Sequence, residues 1–161
     1  MSRHIFFNLF VMLLLSVSGC TKDSATDPSV NGMTCKLSGA DWKTQTTTAA
    51  IINGMLSIKG TTANLSVLSI EIPGVTEDGT YMLNETSSGF AVYSVKTSGS
   101  QTIIYRSNDG NGVGGEVLIT KIDKFASTIS GTFHFYLTSV DGTGINFTEG
   151  VFNDLKYVTI N

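Results

Sequence analysis

The sequence predicts an all-β domain: an antiparallel meander of about ten short strands, folded as a β-sandwich or partly closed barrel, with a lipocalin-like up-and-down barrel as the alternative. Three observations carry this prediction. Apolar and polar residues alternate between turn signals, most clearly where Ile129, Gly131, Phe133, Phe135 and Leu137 point one way and Ser130, Thr132, His134, Tyr136 and Thr138 the other. Charged residues make up only 14% of a chain with 17 Gly and abundant Ser and Thr, a balance that suits strands and turns better than long helices. The connections are too short for βαβ crossovers, so purely antiparallel pairing is expected, and a sheet with this many strands folds over or closes.

Taken in order, residues 46–52 and 55–59 flank Asn53-Gly54, a dipeptide that tolerates φ > 0 at both positions and so predicts a type I′ hairpin. Leu65, Val67, Ile70 and Ile72 continue the alternation with a slip at Val67-Leu68 that predicts a bulge, and Pro73-Gly74 ends that strand. Residues 79–83 and 90–97 form the next pair, after which Ser98-Gly99 turns the chain into 101–107. A turn-rich loop follows at 108–114. Residues 116–123 and the alternating run 129–138 flank a turn at 124–126, and Asp141-Gly142 turns the chain into two last strands, 145–149 and 150–160. Trp42, the lone tryptophan, precedes the first long strand and is expected to plug the bottom of the core rather than stack on a ligand.

The first residues carry a different signal. Arg3 and His4 give a short basic start, and residues 5–15 are apolar except for Asn8. Val17-Ser18-Gly19-Cys20 then resembles the lipobox of bacterial lipoproteins. That resemblance implies cleavage before Cys20 and thioether attachment of diacylglycerol to its sulfur. A membrane-spanning anchor would want roughly 18 or more apolar residues, longer than this run; an ordinary signal with a fortuitous Cys is the other alternative. On the lipobox reading, residues 1–19 are a signal peptide, 20–33 a lipidated Cys with a flexible tether, and 34–161 a single β domain held about 20 Å from the bilayer. The expected location is the outer membrane, facing the periplasm or the cell surface. Removing residues 1–19 removes one charge, Arg3, and leaves an acidic chain without a nucleic-acid footprint. Cys35 is left unpaired and is expected to be a buried small hydrophobe; a Cys20–Cys35 bridge would require the lipobox reading to be wrong.

Chemistry-bearing patterns are sparse. His134 is the only imidazole beyond residue 19, so nucleophilic catalysis and metal binding would both have to converge on it. It lies mid-strand on the polar face, where a solvent-facing structural role is the plainer reading. Gly112-Val113-Gly114-Gly115 has no following helix to make it a phosphate cradle. Asn108-Asp109-Gly110-Asn111 lacks the closing Glu of a calcium loop. Sequons at Asn64, Asn84 and Asn146 are attributed to Ser and Thr richness, since a lipobox means a bacterial cell. No catalytic residue, metal or cofactor is therefore expected. The expected role is a non-catalytic binding or assembly module for a glycan, lipid or envelope protein, with a hydrolase using carboxylates as the alternative. His134 and Tyr136 are the first candidate binding residues, with Arg106 and loop 108–111 secondary.

Four patterns together resemble small lipoproteins of Bacteroidota that carry a domain of unknown function. They are Ser38-Gly39-Ala40-Asp41-Trp42, Asp78-Gly79-Thr80-Tyr81, Ile129-Ser130-Gly131-Thr132-Phe133-His134-Phe135 and Phe147-Thr148-Glu149-Gly150-Val151-Phe152. The resemblance implies a compact antiparallel β fold and transfers no active-site residue. Gly39 and Trp42 also resemble the Gly-x-Trp of lipocalins, with one residue more between them. Surface-exposed lipoproteins of Bacteroidota often carry Lys followed by several acidic residues soon after the lipidated Cys; Thr21-Lys22-Asp23-Ser24 has only one, which leaves periplasmic and surface orientation both open. Asp23-Ser24-Ala25 resembles an O-glycosylation acceptor of those bacteria, which would place a glycan on Ser24.

Overall fold

The computed structural model describes residues 32–97, 99, 101–109 and 113–160. Cys20, Ser24, most of the tether and positions 110–112 of the turn-rich loop lie outside the described residues. Among those described, the chain is all β, with eleven strands in one mixed sheet: β1 (Met33–Leu37), β2 (Ala40–Lys43), β3 (Thr46–Ile52), β4 (Met55–Thr61), β5 (Val67–Pro73), β6 (Gly79–Leu83), β7 (Phe90–Lys96), β8 (Thr102–Arg106), β9 (Gly114–Asp123), β10 (Thr128–Ser139) and β11 (Gly144–Ile160). Their order is β2-β1-β11-β3-β4-β5-β7-β8-β10-β9-β6, and a further β10–β11 pairing closes the middle strands into a ring. The ring is uneven. Its β8–β10 seam holds only Thr138 opposite Arg106 and Ser139 opposite Tyr105. A partly closed barrel or sandwich thus forms, and the out-of-sequence neighbours depart from the lipocalin-like up-and-down order.

Turn chemistry sets most boundaries. Asn53 and Gly54 have φ of 49° and 81°, the two left-handed residues of the expected type I′ turn. Ser38 and Gly39, at 48° and 88°, build a second such turn between β1 and β2. The bulge expected at Val67-Leu68 does not form: β4 and β5 pair in unbroken register from Met55↔Pro73 to Thr61↔Val67. Leu65 belongs to the preceding turn, with φ of 64°, so the slip in alternation marks where the strand starts.

Three further expectations need correction. Residues 79–83 and 90–97 do not pair with each other: β6 lies against β9, and β7 lies between β5 and β8. Pairing is not purely antiparallel, because β11 runs parallel to β3 from Tyr157↔Ala49 to Ile160↔Ile52. β2 is antiparallel to β1 and β1 to β11, so β2 already runs with β11. Only Thr44 and Gln45 separate β2 from β3, and the chain passes between them in the same sense. The two strands expected at 145–149 and 150–160 are one strand, β11, kinked where a break was expected. Glu149 has φ of 54° and Asp154 of 44°. The β10–β11 register shifts at both places, as bulges require. Ser130 Oγ accepts the Asp154 backbone N–H at 2.8 Å, which satisfies this buried polar residue on the outward face of β10.

Aromatic rings pack among aliphatic side chains in the interior. Phe133 stacks on Phe135 with centroids 5.2 Å apart, and Tyr93 meets Phe147 edge to face at 5.2 Å. Trp42 packs on Tyr93 and Phe147 and donates its indole N–H to Ser66 Oγ at 3.4 Å, a core position as expected. Cys35 is a buried free thiol whose pKa burial pushes up to about 12. Met33 is fully buried, so β1 takes its first core residue from just before position 34.

Candidate functional site

The outward face of β10 carries two of the three residues singled out from sequence, His134 and Tyr136. His134 stands opposite Glu116 of β9, with Nδ1 4.0 Å from Oε1, and its side chain is 60% exposed. A contact so long and so open contributes little. Tyr136, two residues on, lies over Gly144 of β11: a Cβ at Gly144 would sit 1.9 Å from the Tyr136 Oη. The phenol thus covers a gap that only glycine leaves, as an aromatic on a neighbouring strand often does. Arg106 of β8 stands opposite Thr138, one pleat further along the same face, with Nε 3.8 Å from Asp109 Oδ2.

The seam between β8 and the end of β10 opens two adjoining concavities. The first, about 370 Å³, is lined by Thr102, Ile103, Ile104, Arg106, Asp109, Ser139, Val140 and Asp141. The second, about 610 Å³, is lined by Asp109, Tyr136, Thr138, Ser139, Val140 and Gly142. Both share Asp109, Ser139 and Val140, so together they form one groove with Arg106 towards one end and Tyr136 towards the other. His134 lines neither; it belongs to a separate pairing with Glu116. Of loop 108–111, Asp109 is in the groove and positions 110 and 111 lie outside the described residues.

The far wall of the groove is the β10–β11 turn. Gly142 N–H donates to Ser139 O at 2.9 Å. Asp141 accepts the Ser139 hydroxyl at 2.5 Å and the Thr143 N–H at 3.0 Å. Those bonds, the hydroxyl first, hold the Asp141 carboxyl below its usual range. The turn is thereby locked while Val140 at its tip is fully exposed. Sequence reading missed Val140, Ile103 and Ile104. Val140 did leave a signal, a lone aliphatic inside a polar turn. Ile104 left none, because its exposure follows from β10 ending beside it.

Two sequons have local structural explanations. Asn84 Oδ1 accepts the N–H groups of Thr86 and Ser87, each at 3.0 Å, and Asn64 Oδ1 accepts the Thr62 and Ser66 hydroxyls. These are Asx-type turns that use the Ser and Thr themselves. Among the described residues no cluster of three or more His, Cys, Asp or Glu has metal-site geometry, and no helix is long and apolar enough to cross a membrane.

A family model described as "Domain of unknown function (DUF6252)" matches residues 27–156. The chain belongs to the DUF6252 family. The match spans the domain from before β1 to near the end of β11 and contains all four patterns quoted above. No curated protein and no solved structure matches the chain. Within this DUF6252 domain the four patterns are structural: Ser38-Gly39 turns β1 into β2, Asp78-Gly79-Thr80-Tyr81 opens the edge strand β6, Phe133 and Phe135 are core, and Glu149 is a bulge.

Proposed function

We propose that this DUF6252 protein is a lipoprotein anchored through Cys20 at the outer membrane, and that its domain is a non-catalytic binding or assembly module. The supporting observation is where space is found. The interior is filled by aromatic and aliphatic side chains, whereas the β8–β10 seam holds a groove with a cation, an exposed phenol and exposed aliphatics. Such a lining suits a glycan, lipid or envelope protein better than bond-breaking. Asp141 is held below the usual carboxyl range, the reverse of what a general acid needs. Glu71, whose carboxyl burial pushes up, lies on β5 bonded to Ser57 and lines neither concavity.

The test is a pulldown from native membranes, paired with a glycan array, using wild type, Arg106→Ala and the double substitution His134→Ala, Tyr136→Ala. A partner retained by wild type and lost with Arg106→Ala and the double substitution supports the reading. Unchanged binding in both removes this face, and turnover of an offered ester or glycoside favours hydrolysis instead.

A further inference from the structure

β8 is a strand whose second edge is left half unpaired. Its β7 edge is complete: pairs run from Val92↔Arg106 to Lys96↔Thr102, flanked by Ser107 N–H donating to Ala91 O at 3.0 Å and Thr97 N–H donating to Gln101 O at 2.9 Å. Bonded and non-bonded pairs alternate in an antiparallel ladder. The residues of β8 that bond β7 are therefore Ile103 and Tyr105. The N–H and C=O groups of Thr102, Ile104 and Arg106 point to the opposite edge. There β10 reaches only Arg106 and Tyr105 before it turns away at Val140. Among the described residues no strand pairs with this edge at Thr102 or Ile104, and Ile104 is 42% exposed.

We infer that this edge accepts an extended peptide segment of a partner protein by strand addition. The inference rests on the groove being the binding site, and it names the partner's chemistry. Two N–H and two C=O groups in strand spacing complement a peptide backbone, which a glycan or an acyl chain does not match. The 370 Å³ concavity lies along those groups and is walled on its far side by the locked Ser139–Asp141 turn. Ile103, Ile104 and Val140 offer apolar surface for alternate side chains of the incoming segment. β2 and β6 also end the sheet, but neither edge lines the groove that holds Arg106 and Tyr136.

The experiment pans a random dodecapeptide library displayed on phage against the full chain, then titrates the selected peptides as synthetic ligands. Ile104→Pro is the diagnostic variant. It deletes the N–H that faces the groove and leaves the β7 ladder its donors, an edge geometry in which a strand tolerates proline. Selected peptides should bind Ile104→Pro about tenfold more weakly than wild type. In wild type they should slow amide hydrogen exchange at Thr102 and Ile104, a readout that holds even if the variant misfolds. Loss with Ile104→Pro alone, and not with His134→Ala, Tyr136→Ala, supports strand addition while removing the β10 face. Loss with the double substitution alone keeps the face and overturns strand addition. An empty selection, or binding without exchange protection at Thr102 and Ile104, overturns the inference.

Discussion

At the scale of single residues, neighbours on β10 differ sharply in their surroundings. Phe135 is buried against Phe133 and Phe147, whereas His134 beside it faces solvent and Glu116. Phe135→Ala should cost about 3–5 kcal/mol through the cavity it leaves, and His134→Ala less than about 1 kcal/mol. Urea midpoints would check this, and equal losses would mean that the faces of β10 are reversed. Glu71 gives a pH-dependent case. Burial raises its carboxyl pKa and the Ser57 hydroxyl opposes that shift, so the folded chain holds this proton more tightly than the unfolded one. The stability it contributes is fully present below the unfolded value of about 4.5 and is lost as pH rises through the folded value. Glu71→Gln should therefore gain stability relative to wild type as pH climbs above 4.5 and then level off. A stability difference that stays flat from pH 3 to 8 would refute this.

At the scale of elements, glycines act in two ways that substitution separates. Gly54 sits in the β3–β4 turn with φ of 81° and open space where a Cβ would go, so Gly54→Ala should cost about 1–2 kcal/mol from backbone strain alone. Gly150 follows the Glu149 bulge on β11, where a Cβ would lie 2.4 Å from the Phe133 ring and 2.5 Å from the Phe133 carbonyl oxygen. The ring can shift but the backbone oxygen cannot, and β10 would have to separate from β11 at the bend. Gly150→Ala should lower the melting temperature further than Gly54→Ala. The reverse order would show that the bulge is not what shapes β11.

For the whole molecule, the prediction concerns the anchor. Radiolabelled palmitate should enter wild-type protein expressed in a bacterial host and fail to enter Cys20→Ala, because the thioether requires that sulfur. Labelling that survives the substitution ends the lipoprotein reading. The domain itself should not depend on the lipid. Its core is built from residues between Met33 and Leu155, so Cys20→Ala should unfold at the same urea concentration as wild type.

The sequence by itself determined what is local. Alternation along 129–138 located the buried and exposed sides of β10 apart from Ser130, and Asn53-Gly54 dictated a turn, because side-chain direction and backbone φ are decided within a few residues. It also marked Trp42 and Cys35 as core. What only the tertiary structure decided depends on strands far apart in the chain. β3 lies parallel to β11 because β2 has already been oriented through β1. A kinked β11 joins what looked like two strands, because bulges keep its pairing with β10 across Glu149 and Asp154. The candidate site divides along the same line. Tyr136 and Arg106 could be recognised as outward-facing residues, but their meeting in one groove, the separation of His134 from it, and the free edge at Ile104 arise where β10 ends beside β8. No property of either strand alone contains that juxtaposition, since register between distant segments is fixed by burial of the shared core.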